Sequence, residues 1–372
     1  MRIVLDARMV KMSGIGRYID SLIPFLAVNF DLTLLGNPGD LKKYGIQYGI
    51  HIIRASSRPY SPLEQTELPL KIPSADLFWT PHFNAPILPI KAAKRIVTIH
   101  DVFHLTCLSK DGFFRRKYAM ILYSNAIKRS DAVFTVSEFT KTEIGRFFPR
   151  KGKYLSRIRV IPRYPDPKFR KLDMTEESII DFMNKTKLPA RFVLYVGNIK
   201  PHKNITGLLR AFDLIRKTDN SLHLVCVGQK NNFLTGFSGM QNLIRSLGLE
   251  SKVFFTGILD DEKLVKIYNS AQVLVLPSFY EGFGLPSLEA MACGCPVVAS
   301  SIPPLREVCS NAAVYVDPHS EQDIAGTVLS VINDKKIRKH LIKEGLTRAA
   351  EFKREKIERK YIMELESIFR NM

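Results

Sequence analysis

The chain of 372 residues has no run of about twenty apolar residues, so it offers no helix able to cross a bilayer. Its first ten residues, MRIVLDARMV, place Asp6 and Arg8 where a signal peptide needs its apolar centre, and a cytoplasmic location is expected. Cysteine is sparse, with Cys107, Cys226, Cys293, Cys295 and Cys309 making five. Cys293-Gly294-Cys295 is too closely spaced for a zinc half-site and has no second pair elsewhere. The five therefore read as reduced, mostly small buried apolar residues. Internal repeats, heptads and low-complexity tracts are also missing, which excludes solenoid and coiled-coil architectures. Acidic residues are short: 36 Asp+Glu face 55 Lys+Arg, a net charge of +19. Residues 1–165 hold 26 basic and 12 acidic side chains, and the remainder holds 29 and 24. The first half thus calls for an anionic partner or surface, and charge alone does not choose between nucleic acid and acidic lipid.

What is present is a globular composition, 45% apolar, long enough for two domains with their own cores. Short apolar segments recur at Arg2–Asp6, Leu32–Leu35, His51–Ile53, Leu77–Thr80, Ile96–Ile99 and Ala132–Val136, separated by helical or Pro-rich stretches. They recur again at Phe192–Val196, Leu222–Val227, Val253–Thr256, Ala271–Leu276, Pro296–Ala299 and Ala313–Val316. Strand and helix alternating in this way predict an α/β fold of parallel sheets covered on both faces, with ligands at the carboxyl ends of the strands. The Pro-rich stretch RVIPRYPDP marks the end of a first domain, residues 1–165. A linker over 166–188 and a second domain over 189–352 follow. The last segment, 353–372, carries Ile357, Tyr361, Leu365 and Ile368 at helical steps.

The most informative stretch is Pro277–Ser300, PSFYEGFGLPSLEAMACGCPVVAS. Pro286 opens a short helical run and Gly294 closes it, between two segments of strand length. A glycine-rich loop opening a helix presents free amides and the positive end of the helix dipole, which suits a diphosphate. Glu281 and Glu289 would repel phosphate, but each carboxylate accepts hydrogen bonds from a vicinal diol. Diphosphate on the amides with a diol on either side describes a sugar nucleotide. A second anion site is expected in Gly197–Asn204, GNIKPHKN, where Lys203 stands at the start of a helix that Asn204 caps.

Glu281 and Glu289, seven residues apart within EGFGLPSLEAMACGCPVV, resemble the signature of retaining glycosyltransferases of family 4, which have the GT-B architecture. The resemblance implies two Rossmann-like domains facing across a cleft, with the C-terminal helix crossing back to the first. It implies transfer of a sugar with retention, forming an α-glycosidic bond. It implies a nucleotide-sugar co-substrate without a resident cofactor or metal, and the sequence has no Asp-x-Asp pair. In it Glu281 lies by the transferred sugar and Glu289 holds the ribose. The amides of Gly282, Phe283, Gly284 and Leu285 face the diphosphate, which Lys203 neutralises. Gly14 and Gly16, in the loop SGIGRY, resemble the loop that approaches diphosphate or acceptor. His100-Asp101, directly after a strand, resembles the histidine at the mouth of the cleft, the pair being able to orient one another; with Glu281 they form the catalytic set.

GNIKPHKN is similar to bacterial mannosyltransferases of surface-polysaccharide assembly, which favours GDP-mannose as donor and a saccharide or lipid-linked saccharide as acceptor. The sequence departs from the family at Arg163-Tyr164-Pro165-Asp166 and at Asn198, where many relatives carry arginine. His82 and Asn84, in a loop after a strand, are available either to the acceptor or to their own backbone. Lys141–Arg163 holds eight basic residues and one acid with Phe147, Phe148 and Tyr154 between them. Such interleaving suits an anionic membrane face, and equally a solvated basic loop. Nucleic acid is not an expected partner. Two other readings stay open: a GT-B-fold epimerase or phosphorylase, and a non-enzymatic basic protein binding nucleic acid or membrane.

Overall fold

The computed structural model describes residues 1–106, 112–149, 152–228 and 234–370. Cys107, and Arg150 and Lys151 of the basic stretch, lie outside the described residues. The chain divides into two compact units, Met1–Arg163 with the segment from Ile357 onward, and Tyr164–Lys356.

The first unit is built on seven strands: β1 (Arg2–Asp6), β2 (Asp31–Gly36), β3 (His51–Arg54), β4 (Ala75–Thr80), β5 (Ala92–Ile99), β6 (Ala132–Thr135) and β7 (Ile158–Val160). They pair in the order β3-β2-β1-β4-β5-β6-β7, every described pairing parallel. Central strands buried on both faces explain their continuous apolar character: Phe78, Trp79, Phe134 and Ile3 are among the largest fully buried side chains. The final helix, Arg354–Arg370, buries Ile357, Tyr361 and Leu365. It is tied in by Tyr361, whose hydroxyl lies 2.9 Å from that of Tyr18, and by Glu364, which accepts from Arg159 Nε at 3.1 Å.

The second unit holds β8 (Phe192–Val196), β9 (His223–Val227), β10 (Val253–Gly257), β11 (Val273–Leu276), β12 (Val297–Ser300) and β13 (Val314–Val316). Their order is β10-β9-β8-β11-β12-β13, again parallel. One core gathers Val193, Tyr195, Phe212, Leu224 and Val275 with helix residues Ile324, Val328 and Val331. Within 166–188 the chain forms a helix, Glu176–Thr186, whose cap Thr175 accepts from the Ser178 amide at 3.2 Å.

Two expectations are corrected. Gly14 and Gly16 lie in the first turn of helix Ser13–Asn29 and not in a loop. Tyr18, Ile19, Leu22, Ile23 and Leu26 give that segment a helical apolar face, which carries the helix back over the glycines. Gly16 is required there because a Cβ would stand 2.3 Å from the Val10 carbonyl oxygen. The aromatics of Lys141–Arg163 are not fully presented to solvent: Phe148 is buried, and Phe147 and Tyr154, half-buried, pack against the core of Leu122, Tyr123 and Ile144. Periodicity placed them on a basic stretch without showing which way they point.

Candidate active site

In the second sheet β8 continues to β9 on one side and β11 to β12 on the other, so the chain turns away in opposite directions from these two neighbours. Crevices at the carboxyl ends of such strands are where open α/β sheets bind ligands. Two loops meet there, residues 197–204 after β8 and 277–284 after β11, and the Phe279 amide donates to the His202 carbonyl at 2.8 Å. Asn204, at φ 53°, caps helix Ile205–Thr218 through Gly207 at 3.2 Å and ties back to the Pro318 carbonyl at 2.6 Å. Phe279 stacks on His319 with ring centres 4.6 Å apart.

On this frame Lys203 and Glu281 form an ion pair, Nζ to Oε2, at 2.5 Å, with both side chains largely buried. The other oxygen of Glu281 accepts from the buried Ser278 hydroxyl at 2.8 Å. Burial, and next to it the Glu281 charge, holds the Tyr195 hydroxyl well above its usual range. Gly284 starts helix Leu285–Ala292 at φ 98°, and a Cβ there would stand 2.5 Å from Leu305 Cδ2. Only glycine meets both constraints without strain. Pro286 stands at the helix start, where its missing N–H costs nothing. Phe283 and Leu285 are buried beside it, and Gly294 ends the segment in the left-handed region at φ 71°. Glu289, 2% exposed, faces inward from the helix and accepts from the Tyr268 hydroxyl at 3.0 Å. Cys293 and Cys295 are buried thiols, and burial pushes Cys295 up to about 12.

The structure therefore brings Lys203, Glu281, Gly282, Phe283, Gly284, Leu285 and Glu289 into one unit, with Lys203 and Glu281 in direct contact. Gly14, Gly16, His100 and Asp101 belong to the other. The expected mutual support of His100 and Asp101 is replaced by separate partners. His100 lies 3.0 Å from the Pro81 carbonyl through Nε2, which must carry the proton because a carbonyl only accepts. Burial, reinforced by the Arg163 charge, pushes its pKa down to about 3, so the neutral ring keeps Nδ1 as an acceptor. Asp101 turns to the Phe103 amide and accepts from it at 2.9 Å, the local hydrogen bond two residues on that an aspartate makes most readily.

Sequence reading missed Ser278, whose hydroxyl three residues before Glu281 is a local signal, and Tyr268, whose partner is distant. It also missed a network in the first unit that runs inward from exposed Tyr60 to the buried His82, Asn84 and Glu64. Tyr60 O–H donates to His82 Nε2 (3.3 Å), His82 Nδ1–H to Asn84 Oδ1 (3.1 Å) and Asn84 Nδ2–H to Glu64 Oε2 (2.8 Å). The direction follows because the Asn84 oxygen accepts only and burial keeps His82 neutral. Arg8 closes the chain, 3.1 Å from Glu64 and 2.8 Å from Asp6. Burial lifts the Glu64 carboxyl to about 7 against the pull of Arg8 and Asn84.

Residues 12–169 match the family model Glycosyltransferase Family 4, and residues 177–348 match Glycosyl transferases group 1. The chain is a family 4, group 1 glycosyltransferase. The glycosyltransferase is 29% identical over 277 residues to O-antigen chain mannosyltransferase B of Escherichia coli, covering 71% of this chain and 68% of that protein. It is 29% identical over 263 residues to the serotype-specific mannosyltransferase WbdA of Escherichia coli, 70% of this chain but 32% of that longer protein. Among solved structures it is similar to sucrose-phosphate synthase from Thermosynechococcus elongatus, with TM-score 0.79 and 21% identity over 100% of both chains. It is also similar to Anabaena HepE in complex with UDP and glucose, with TM-score 0.77 and 18% identity over 99% of this chain and 100% of that one. The glycosyltransferase thus has the GT-B fold, two parallel Rossmann-like sheets with a long C-terminal helix. Among its described residues no helix is long and apolar enough to cross a membrane.

Proposed function

We propose that this glycosyltransferase moves a hexosyl group, mannose from GDP-mannose being the favoured donor, onto a saccharide carried on lipid or polysaccharide, with retention and an α-linkage. The observation that carries the reading is the Lys203–Glu281 pair beside the glycine-opened helix start where the loops after β8 and β11 meet. A cation and the positive end of a helix dipole on that side suit the diphosphate, and the carboxylate suits sugar hydroxyls. As the bond to the anomeric carbon breaks, negative charge grows on the departing diphosphate. Lys203 and the amides from Gly282 to Leu285 are set to stabilise it without reorganising. Glu281, held by Ser278 and Lys203, orients the sugar, and Glu289 with Tyr268 takes the ribose. His100 accepts from a sugar hydroxyl through Nδ1, and the first unit receives the acceptor. Mannose is favoured because the O-antigen mannosyltransferase relative carries that sugar in its name.

The test is thermal stabilisation by GDP, UDP, ADP and their sugar conjugates, followed by product analysis with a lipid-linked saccharide. GDP and GDP-mannose should raise the melting temperature, by mass action on the folded state. Nucleotide diphosphate release that requires acceptor, with an α-configured product by NMR, completes the reading. Stabilisation by UDP conjugates alone replaces the donor, and no response to any nucleotide removes the transferase site.

A further inference from the structure

We propose that Arg348 and Phe352 are positioning residues for the donor, holding the turn Gly282–Leu285 from both of its sides. The inference rests on the reading of that turn as the diphosphate site. There the ligand is met by backbone amides, and a turn that works through its backbone is not tuned by its own side chains. Its geometry is set by what it rests on.

All the supports belong to the second unit. On one side Phe283 meets Phe352 edge to face, with ring centres 6.0 Å apart and 75° between the planes. On the other, Gly284 lies against Leu305, a fully buried residue of helix Pro303–Cys309. Arg348, near the end of helix Lys335–Glu351, joins the two sides. Its Nε donates to the Val308 carbonyl at 2.8 Å and its Nη2 to the Glu307 carbonyl at 2.7 Å. These are among the last carbonyls of the helix that carries Leu305, where intrahelical amides run out. The same guanidinium lies 4.8 Å over the Phe352 ring. Its remaining nitrogen, Nη1, pairs with Glu351. All three nitrogens are thus engaged, so Arg348 acts through the turn and not on the ligand.

Only arginine suits this position, because its planar fork serves two neighbouring carbonyls while its face stays available to a ring. Phe352 needs that hold. It follows the last turn of its helix and lines a cavity of about 270 Å³ with Phe169 and Leu346, where the ring has room to swing.

The test compares GDP with guanosine by calorimetry on the full-length protein, since the two differ by the diphosphate; UDP and uridine replace them if UDP is the nucleotide that binds. Wild type should prefer GDP. Phe352→Leu and Arg348→Lys should each lose roughly tenfold or more of that preference, the worth of one charge-assisted hydrogen bond, with guanosine affinity unchanged. Turnover should fall by roughly tenfold as well, and Phe352→Tyr, which keeps the ring, should stay near wild type in both measures. Arg348→Lys keeps the charge, so a wild-type GDP preference in that variant means attraction at a distance and overturns the proposal. Phe352 is half-buried, so Phe352→Leu should keep a melting temperature near that of wild type and decides the matter even if Arg348→Lys does not fold. A full GDP preference in Phe352→Leu, or an equal loss of GDP and guanosine affinity, overturns the proposal while the diphosphate reading stands. Wild type that binds GDP no better than guanosine removes the diphosphate reading and the proposal with it.

Discussion

At the carboxyl end of the second sheet the polar groups come from two loops contiguous with their strands, residues 197–204 and 277–289. At the carboxyl end of the first they come from four places far apart in sequence, around residues 6–8, 60–64, 82–84 and 100–104. The second arrangement relies on backbone: helix starts, a glycine at φ 98°, and the Phe279 amide held by the His202 carbonyl of the neighbouring loop. The first relies on side chains that satisfy one another, from Tyr60 through His82, Asn84 and Glu64 to Arg8. Groups built on backbone keep their geometry when a side chain changes. A chain of buried side chains fails as a unit when one member is removed.

The sharpest way to break this contrast is Glu281→Gln. The substitution preserves shape and the Ser278 contact but removes the charge that Lys203 faces. Turnover should fall by roughly a hundredfold or more, as when one preorganised electrostatic contact is lost. Nucleotide diphosphate affinity, by calorimetry, should stay within about threefold, because the amides and Lys203 remain and a nearby negative charge is gone. A parallel fall in diphosphate affinity would mean that Glu281 serves to anchor Lys203 and not the sugar.

Glu64→Ala probes the other side. It leaves the Asn84 amide and one arm of Arg8 facing a void in a site where Glu64 is 0% exposed. Losing one partner of a buried pair costs on the order of 3 kcal/mol. Denaturant unfolding should show that loss in the transition of the first unit, while diphosphate binding to the second is unchanged. Equal stability of variant and wild type would show that Arg8 and Asp6 alone hold these loops.

The same contrast explains what the sequence reveals. Lys203, Glu281, Gly284 and Pro286 are legible because each is a neighbour of the strand or helix end that gives it meaning. The α/β fold with parallel sheets is legible from the recurring apolar segments for the same reason. Glu64 and Tyr60 are not legible, since nothing within ten residues of either announces Arg8 or His82. Gly14 and Gly16 mislead in a different way: two glycines after a strand suggest a loop, yet the apolar face from Tyr18 to Leu26 extends the helix over them. His100-Asp101 misleads because adjacency in sequence suggests mutual contact, whereas each finds a backbone partner first.

The smallest expected effect separates His100 from the network beside it. In the folded protein its pKa is about 3, against an ordinary value of 6.5, so between those limits the unfolded chain binds more protons than the folded one. Stability from this residue is complete above pH 6.5 and is lost as pH falls toward 3. At pH 5 the loss amounts to about 2 kcal/mol, given 1.36 kcal/mol per unit. His100→Gln keeps a donor for the Pro81 carbonyl and removes the titration. Between pH 7.5 and pH 5 the variant should therefore lose less stability than wild type by about that amount, measured by denaturant unfolding at each pH. His82 is held neutral first by burial and next by the His100 charge, so His100→Gln eases the acid sensitivity of His82 in the same direction. Identical acid sensitivity of the two would place the proton uptake on His82 and the Tyr60–Glu64 chain, joining the two polar groups of the first unit into one.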